Sequence, residues 1–138
     1  MKKMVNNPDH VIDELMTGYL AAYPEYLRRS ELHKRALIGN KRTEKRKVSV
    51  LIGGGSGHEP GFLGYVGKGM ADGVAVGNIF ASPSPIPIQA VTKEINQDYG
   101  VLYIYGNYAG DLMNFEMASE MTEIEDDIQT AAVIGNDD

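Results

Sequence analysis

The chain contains no cysteine. That absence removes disulfides, thiolate metal sites and a cysteine nucleophile, and it fits a cytoplasmic protein. Long apolar runs are missing as well: no stretch approaches the ~20 residues that cross a bilayer, so no membrane is expected as a partner. No apolar segment follows the basic residues near Met1, so no secretory signal is expected. Positive charge is in deficit, with 13 Lys and Arg against 19 Asp and Glu and a net charge of -6. Such a balance argues against nucleic acid as a partner. One local exception, residues 41–47 (KRTEKRK), reads as a solvated loop ahead of a strand. Repeats and low-complexity segments are also absent. What remains, 138 residues of which 43% are hydrophobic and 23% charged, suits one domain with its own core.

Asn7 and Pro8 read as a helix start, with Asn7 as N-cap and Pro8 in the first turn. Val11, Leu15, Tyr19 and Ala22 then recur at helical spacing until Pro24 ends the run. Residues 26–46 are charged and sparse in apolar side chains, which predicts a loop with a short helix. Residues 48–52 form a compact β-branched strand. A glycine loop follows at 53–57, and Pro60 suits the first turn of a helix buried through Phe62, Leu63 and Val66. A short strand is expected at 73–76 and a rigid extended loop at 82–87 (SPSPIP). Ile88, Val91, Thr92 and Ile95 mark a helix, which Gly100 stops. Further strands are expected at 101–105 and 130–134. Between them lie a loop at 106–110 and a helix at 112–121, whose stripe Leu112, Phe115, Met117, Ala118 and Met121 reads as core.

Strands alternating with helices predict a layered α/β/α domain with a mainly parallel sheet. Ligands of such sheets sit outside the carboxyl ends of the strands. The loops at 53–58 and 106–111 therefore should open onto one edge and form one site.

The first of these loops reads GGGSGHEP over residues 53–60, with four glycines in its first five positions. Glycine permits tight turning and close approach to a ligand, and a helix N-terminus behind the loop would favour oxyanions or polarised oxygens. It is not a nucleotide loop of either common kind. The lysine of the Walker pattern is missing. Each way of starting G-x-G-x-x-G fails at its third glycine, where Pro60 or His58 stands. His58 is a candidate acid, base or hydrogen-bond partner near neutral pH, the alternative being a helix cap. Asp111 has two readings: an N-cap for the helix that follows, or a general base for a hydroxyl. His10 and His33 have polar, unremarkable surroundings. The acidic pairs Asp126–Asp127 and Asp137–Asp138 have no histidine nearby in sequence, and no metal site is expected from them.

Four segments together resemble the substrate-binding subunit of the dihydroxyacetone kinase family: residues 53–60, 64–70 (GYVGKGM), 79–85 (IFASPSP) and 107–116 (NYAGDLMNFE). The opening MKKMVNNPDHVIDE is similar too, and the resemblance runs over nearly the whole chain in order. It implies a protein that binds a short-chain ketose, usually dihydroxyacetone, and presents its terminal hydroxyl for phosphorylation by a nucleotide- or phosphotransfer-linked partner subunit. The substrate-contacting loop falls on Gly55, Ser56, Gly57 and His58. The catalytic aspartate falls on Asp111, which would accept the hydroxyl proton, and a catalytic histidine falls on His58. The family places ATP or ADP and its magnesium on a partner subunit or C-terminal domain, so no cofactor is expected on this chain. A homodimer is the family's usual state.

Two departures stand out. The family's second histidine, which forms a hemiaminal with the ketone, has no counterpart in these residues. Gly106 stands where many members have a lysine just before the NY-x-GD motif, which leaves the ketose open, a tetrulose among the candidates. The family's subunit has two domains, so residues 1–138 are expected to form the N-terminal part of the first, incomplete, with the second absent. Within the family a non-catalytic ketose-binding co-regulator of transcription is the competing function, and a non-functional remnant is a third.

Overall fold

The computed structural model describes residues 4–40 and 46–136. Most of the basic run and the pair Asp137–Asp138 therefore lie outside the described residues. Asn7 caps a single 3-10 turn, Pro8–His10, by accepting a hydrogen bond from the Asp9 amide. This turn leads directly into α1, Val11–Ala22.

Six strands follow: β1 (Leu27–Arg29), β2 (Ala36–Gly39), β3 (Ser49–Ser56), β4 (Gly73–Ile79), β5 (Val101–Gly106) and β6 (Thr130–Gly135). They form one sheet in the order β1-β2-β4-β3-β5-β6. β4, β3, β5 and β6 are mutually parallel, and β1 and β2 add an antiparallel edge. The helices α2 (Pro85–Ile95) and α3 (Ala109–Asp126) make the crossovers β4–β5 and β5–β6. The expected α/β layering with a mainly parallel sheet is what the chain adopts.

Strand alternation divides the core in two. Leu51, Ala75, Tyr103 and Tyr105 point to one face and pack with Ile88, Val91, Phe115 and Ala118 of α2 and α3. Ile52, Val74 and Val76 point to the other, against Ile12 and Met16 of α1 and Leu63 of a short 3-10 turn. Two hydroxyl contacts pair polar groups within the core, as burial favours. The Thr92 and Tyr103 hydroxyls meet at 2.8 Å, and the Ser49 hydroxyl donates to the Ile95 carbonyl at 2.6 Å.

Several expectations need correction. Residues 26–46 hold strands β1 and β2 among their described part, where a loop with a short helix was expected. The pairing of β2 with β4, and of β1 with β2, supplies the order that local composition does not. The glycine run is largely strand, since β3 continues to Ser56. No α-helix follows Pro60: the segment makes only the 3-10 turn Leu63–Tyr65, because Gly61, Gly64 and Gly67 weaken any helix there. The extended loop at 82–87 ends early, as Pro85 already begins α2. Met113 and Met117 of α3 face outward, 59% and 46% exposed, while Met121 is half-buried. The buried stripe of that helix is Asp111, Phe115, Ala118 and Thr122.

Candidate functional site

β3 and β5 run parallel, so their carboxyl ends, Ser56 and Gly106, emerge at the same edge of the sheet. β4 ends at this edge also, carrying residues 79–82. Between these three strand ends lies a cleft of about 480 Å³ lined by Gly55, His58, Phe80, Ala81, Ser82, Tyr108, Gly110, Asp111 and Asn114. The two segments singled out in the sequence thus meet, through His58 on one side and Asp111 on the other.

Each wall has a local cause. Gly55 is glycine because β4's exit passes over it: a Cβ there would lie 2.7 Å from the Ala81 amide nitrogen. Gly57 has φ 106°, which L side chains rarely adopt, and turns the chain out of the sheet so that His58 reaches the cleft. Its amide donates to the Glu59 carboxylate at 2.8 Å. Ser56 is buried, and its hydroxyl donates to the Gly77 carbonyl at 3.0 Å, tying β3 to β4. Of the four loop residues expected to contact substrate, Gly55 and His58 line the cleft; Ser56 and Gly57 do not.

Asp111 is not the helix cap. α3 begins two residues earlier, with Tyr108 in extended conformation at the N-cap position and its carbonyl accepting from the Leu112 amide at 2.9 Å. Asp111 therefore sits in the first turn, on the buried stripe, with 5% of its surface exposed. Its Oδ1 is buried without a hydrogen-bond partner among the described residues. Burial holds its carboxyl above the usual carboxylate range, while the Ser82 hydroxyl and the charge of His58 oppose that shift. Tyr105, beneath the cleft, is pushed up by burial and by the carboxylates of Glu116 and Asp111. A carboxylate of raised proton affinity that lines a cleft and has one oxygen unpartnered is equipped to accept a proton.

The sequence reading missed Phe80, Ser82, Tyr108 and Asn114 as cleft residues. Tyr108 and Asn114 lie within the segment around Asp111, and Phe80 and Ser82 within the IFASPSP segment; their chain order gave no physical sign that they converge. Among the described residues no group of three or more His, Asp or Glu side chains is placed to hold a metal ion, and no helix is long and apolar enough to cross a membrane.

An α/β domain with a histidine and a buried carboxylate facing one another across strand ends defines a class of small-molecule site. The sequence places it more narrowly. Residues 17–138 match the Dak1 domain model, and the chain belongs to that family. Over its full length it is 45% identical to the dihydroxyacetone-binding subunit DhaK of PTS-dependent dihydroxyacetone kinase 2 of Listeria innocua, and it spans 41% of that relative, corresponding to its N-terminal part. The dihydroxyacetone kinase of C. freundii, solved with AMP-PNP and Mg2+, superimposes on 96% of this chain with a TM-score of 0.88 and 30% identity, the match covering 25% of that larger chain. A dihydroxyacetone kinase operon co-activator superimposes on 89% of this chain with a TM-score of 0.80 and 32% identity, over 37% of its own length.

Proposed function

We propose that the cleft between His58 and Asp111 holds a short-chain ketose, dihydroxyacetone or a close relative, and presents its terminal hydroxyl for phosphorylation. The observation that carries this reading is the buried, unpartnered Oδ1 of Asp111 opposite His58. A hydroxyl of the substrate would donate to that oxygen and satisfy it, and the proton would pass to Asp111 as the hydroxyl oxygen attacks phosphorus and the bond from phosphorus to the donor breaks, its electron pair leaving with the donor. His58 would hydrogen-bond the ketose and hold it in line. Phosphoryl transfer depends mainly on positioning and charge stabilisation, so two groups fixed on separate strand ends suit it.

The phosphoryl group comes from outside this chain. The nucleotide, ATP or ADP with magnesium, is assigned to a partner subunit or domain, consistent with the missing phosphate-loop lysine. The chain of residues 1–138 is read as the N-terminal part of a substrate-binding domain, working in the cytoplasm as a homodimer without nucleic acid or membrane.

Assayed with a nucleotide-binding partner subunit, the complete protein is expected to phosphorylate dihydroxyacetone. Asp111→Asn should lower kcat by about two to four orders of magnitude, as loss of a general base does, with KM little changed. Unchanged turnover in Asp111→Asn would remove Asp111 from the proton transfer. The similarity to a kinase-operon co-activator favours a second reading, ketose binding without turnover. Ketose binding with no phosphorylation alongside any partner subunit, together with co-purification of a DNA-binding regulator, would select it.

A further inference from the structure

Phe80 stands just beyond β4 in a conformation that neither burial nor local preference explains. Its φ is 51°, in the left-handed region that a Cβ disfavours. The residue is 72% exposed, so the hydrophobic effect gives little reason for phenylalanine at this point. What the ring does touch is His58, with centroids 5.4 Å apart and planes at 75°. A second phenyl, Phe62, approaches the same imidazole at 6.4 Å and 73°.

The surroundings hold this contact in place. The Phe80 amide donates to the Ser56 carbonyl at 2.8 Å, which ties the turn after β4 to the end of β3. Gly57 leaves room for the ring: a Cβ at Gly57 would lie 2.7 Å from Cε1 of Phe80. The left-handed backbone at Phe80 and the positive φ at Gly57 thus act together to set phenyl against imidazole. Phe80 and His58 line the same cleft as Asp111.

We propose that Phe80 is a positioning residue, whose ring holds the His58 imidazole in one rotamer facing the Asp111 cleft. An exposed histidine on a glycine-rich turn has several side-chain wells open to it. An edge-to-face aromatic contact selects among them without consuming either ring nitrogen, so both stay free for a ligand. The functional consequence rests on the reading of His58 as a ketose-contacting group; the hold on the imidazole does not.

The test uses the whole chain and two variants. Phe80→Gly removes the ring and suits the left-handed backbone, so it should fold; Phe80→Tyr keeps the ring. Three-bond NMR couplings across χ1 of His58 should report one rotamer in the parent and in Phe80→Tyr, and averaging in Phe80→Gly. Single-rotamer couplings in Phe80→Gly would overturn the proposal. Affinity for dihydroxyacetone, by calorimetry on the same proteins, should fall about tenfold in Phe80→Gly, the effect of ~1.4 kcal/mol, and recover in Phe80→Tyr. Averaged couplings with unchanged dihydroxyacetone affinity would support the hold of Phe80 and overturn the role given to His58. Should Phe80→Gly lose its fold, Phe80→Ala gives the same readings.

Discussion

Asp111 has 5% of its surface exposed and one carboxylate oxygen without a partner. Because burial raises its pKa above 3.8, the folded chain binds more proton than the unfolded chain over the window between the two values. Stability from this group is thus complete below the unfolded value and is lost as pH rises through the folded value. Asp111→Asn cannot ionise and escapes that loss. Thermal unfolding at neutral pH should show Asp111→Asn melting a few degrees above the parent, with the gap closing as the pH falls below the ordinary carboxylate range. A variant less stable than the parent at neutral pH would mean that the charged carboxylate is satisfied in the fold. Gly57 gives a second test at this scale. Gly57→Ala forces a Cβ into a left-handed backbone and against Phe80, so denaturant unfolding should register a loss of about 2 kcal/mol. A neutral Gly57→Ala would show that the turn carrying His58 is not held as described.

At the scale of elements, α3 links the core to the cleft. Phe115 is fully buried, stacked on Tyr105 at 4.2 Å and edge-on to Tyr103 at 5.6 Å, one turn beyond Asp111. Phe115→Ala should cost about 3–5 kcal/mol in chemical denaturation, and in the surviving folded fraction it should also weaken ketose binding. A loss under 1 kcal/mol, the range of volume-conserving swaps, would mean that α3 is not anchored through this ring. The periodic helices and the β-branched strands were legible because their burial follows local pattern, as with Val101, Tyr103 and Tyr105 on one face of β5. The strands β1 and β2 were not, being short and bound into the sheet by long-range pairing. The glycines of β3 misled in a different way. They read as a tightly turning loop, yet Gly53, Gly54 and Gly55 are strand residues whose missing side chains admit neighbouring atoms such as the Ala81 amide. His58 and Asp111 were legible as a pair through parallel-strand topology. Phe80 was not, because a left-handed phenylalanine leaves no trace in composition or spacing.

Across the whole molecule the two sheet faces are covered unequally. α2 and α3 cover one face from β4 to β5, whereas α1 and the 3-10 turn leave β5 and β6 open on the other. Ile104 and Val133 are 39% and 53% exposed there. A mostly apolar groove of about 690 Å³ runs beside them, lined in part by Val50, Phe62, Tyr65, Met70 and Tyr108. Contiguous exposed apolar surface of this kind takes up apolar probes. The chain should therefore enhance the fluorescence of an anilinonaphthalene dye while fully folded, and Ile104→Asp should reduce it. Equal fluorescence in the variant would place the dye elsewhere.

Occupancy of the His58–Asp111 cleft by a ketose can be read by titrating dihydroxyacetone into the isotope-labelled chain, with backbone amides followed by NMR. Saturable shifts concentrated at Gly55, His58, Ser82, Gly110 and Asp111 are predicted. Saturable shifts that cluster away from this edge of the sheet, or no shift at any concentration, would contradict it.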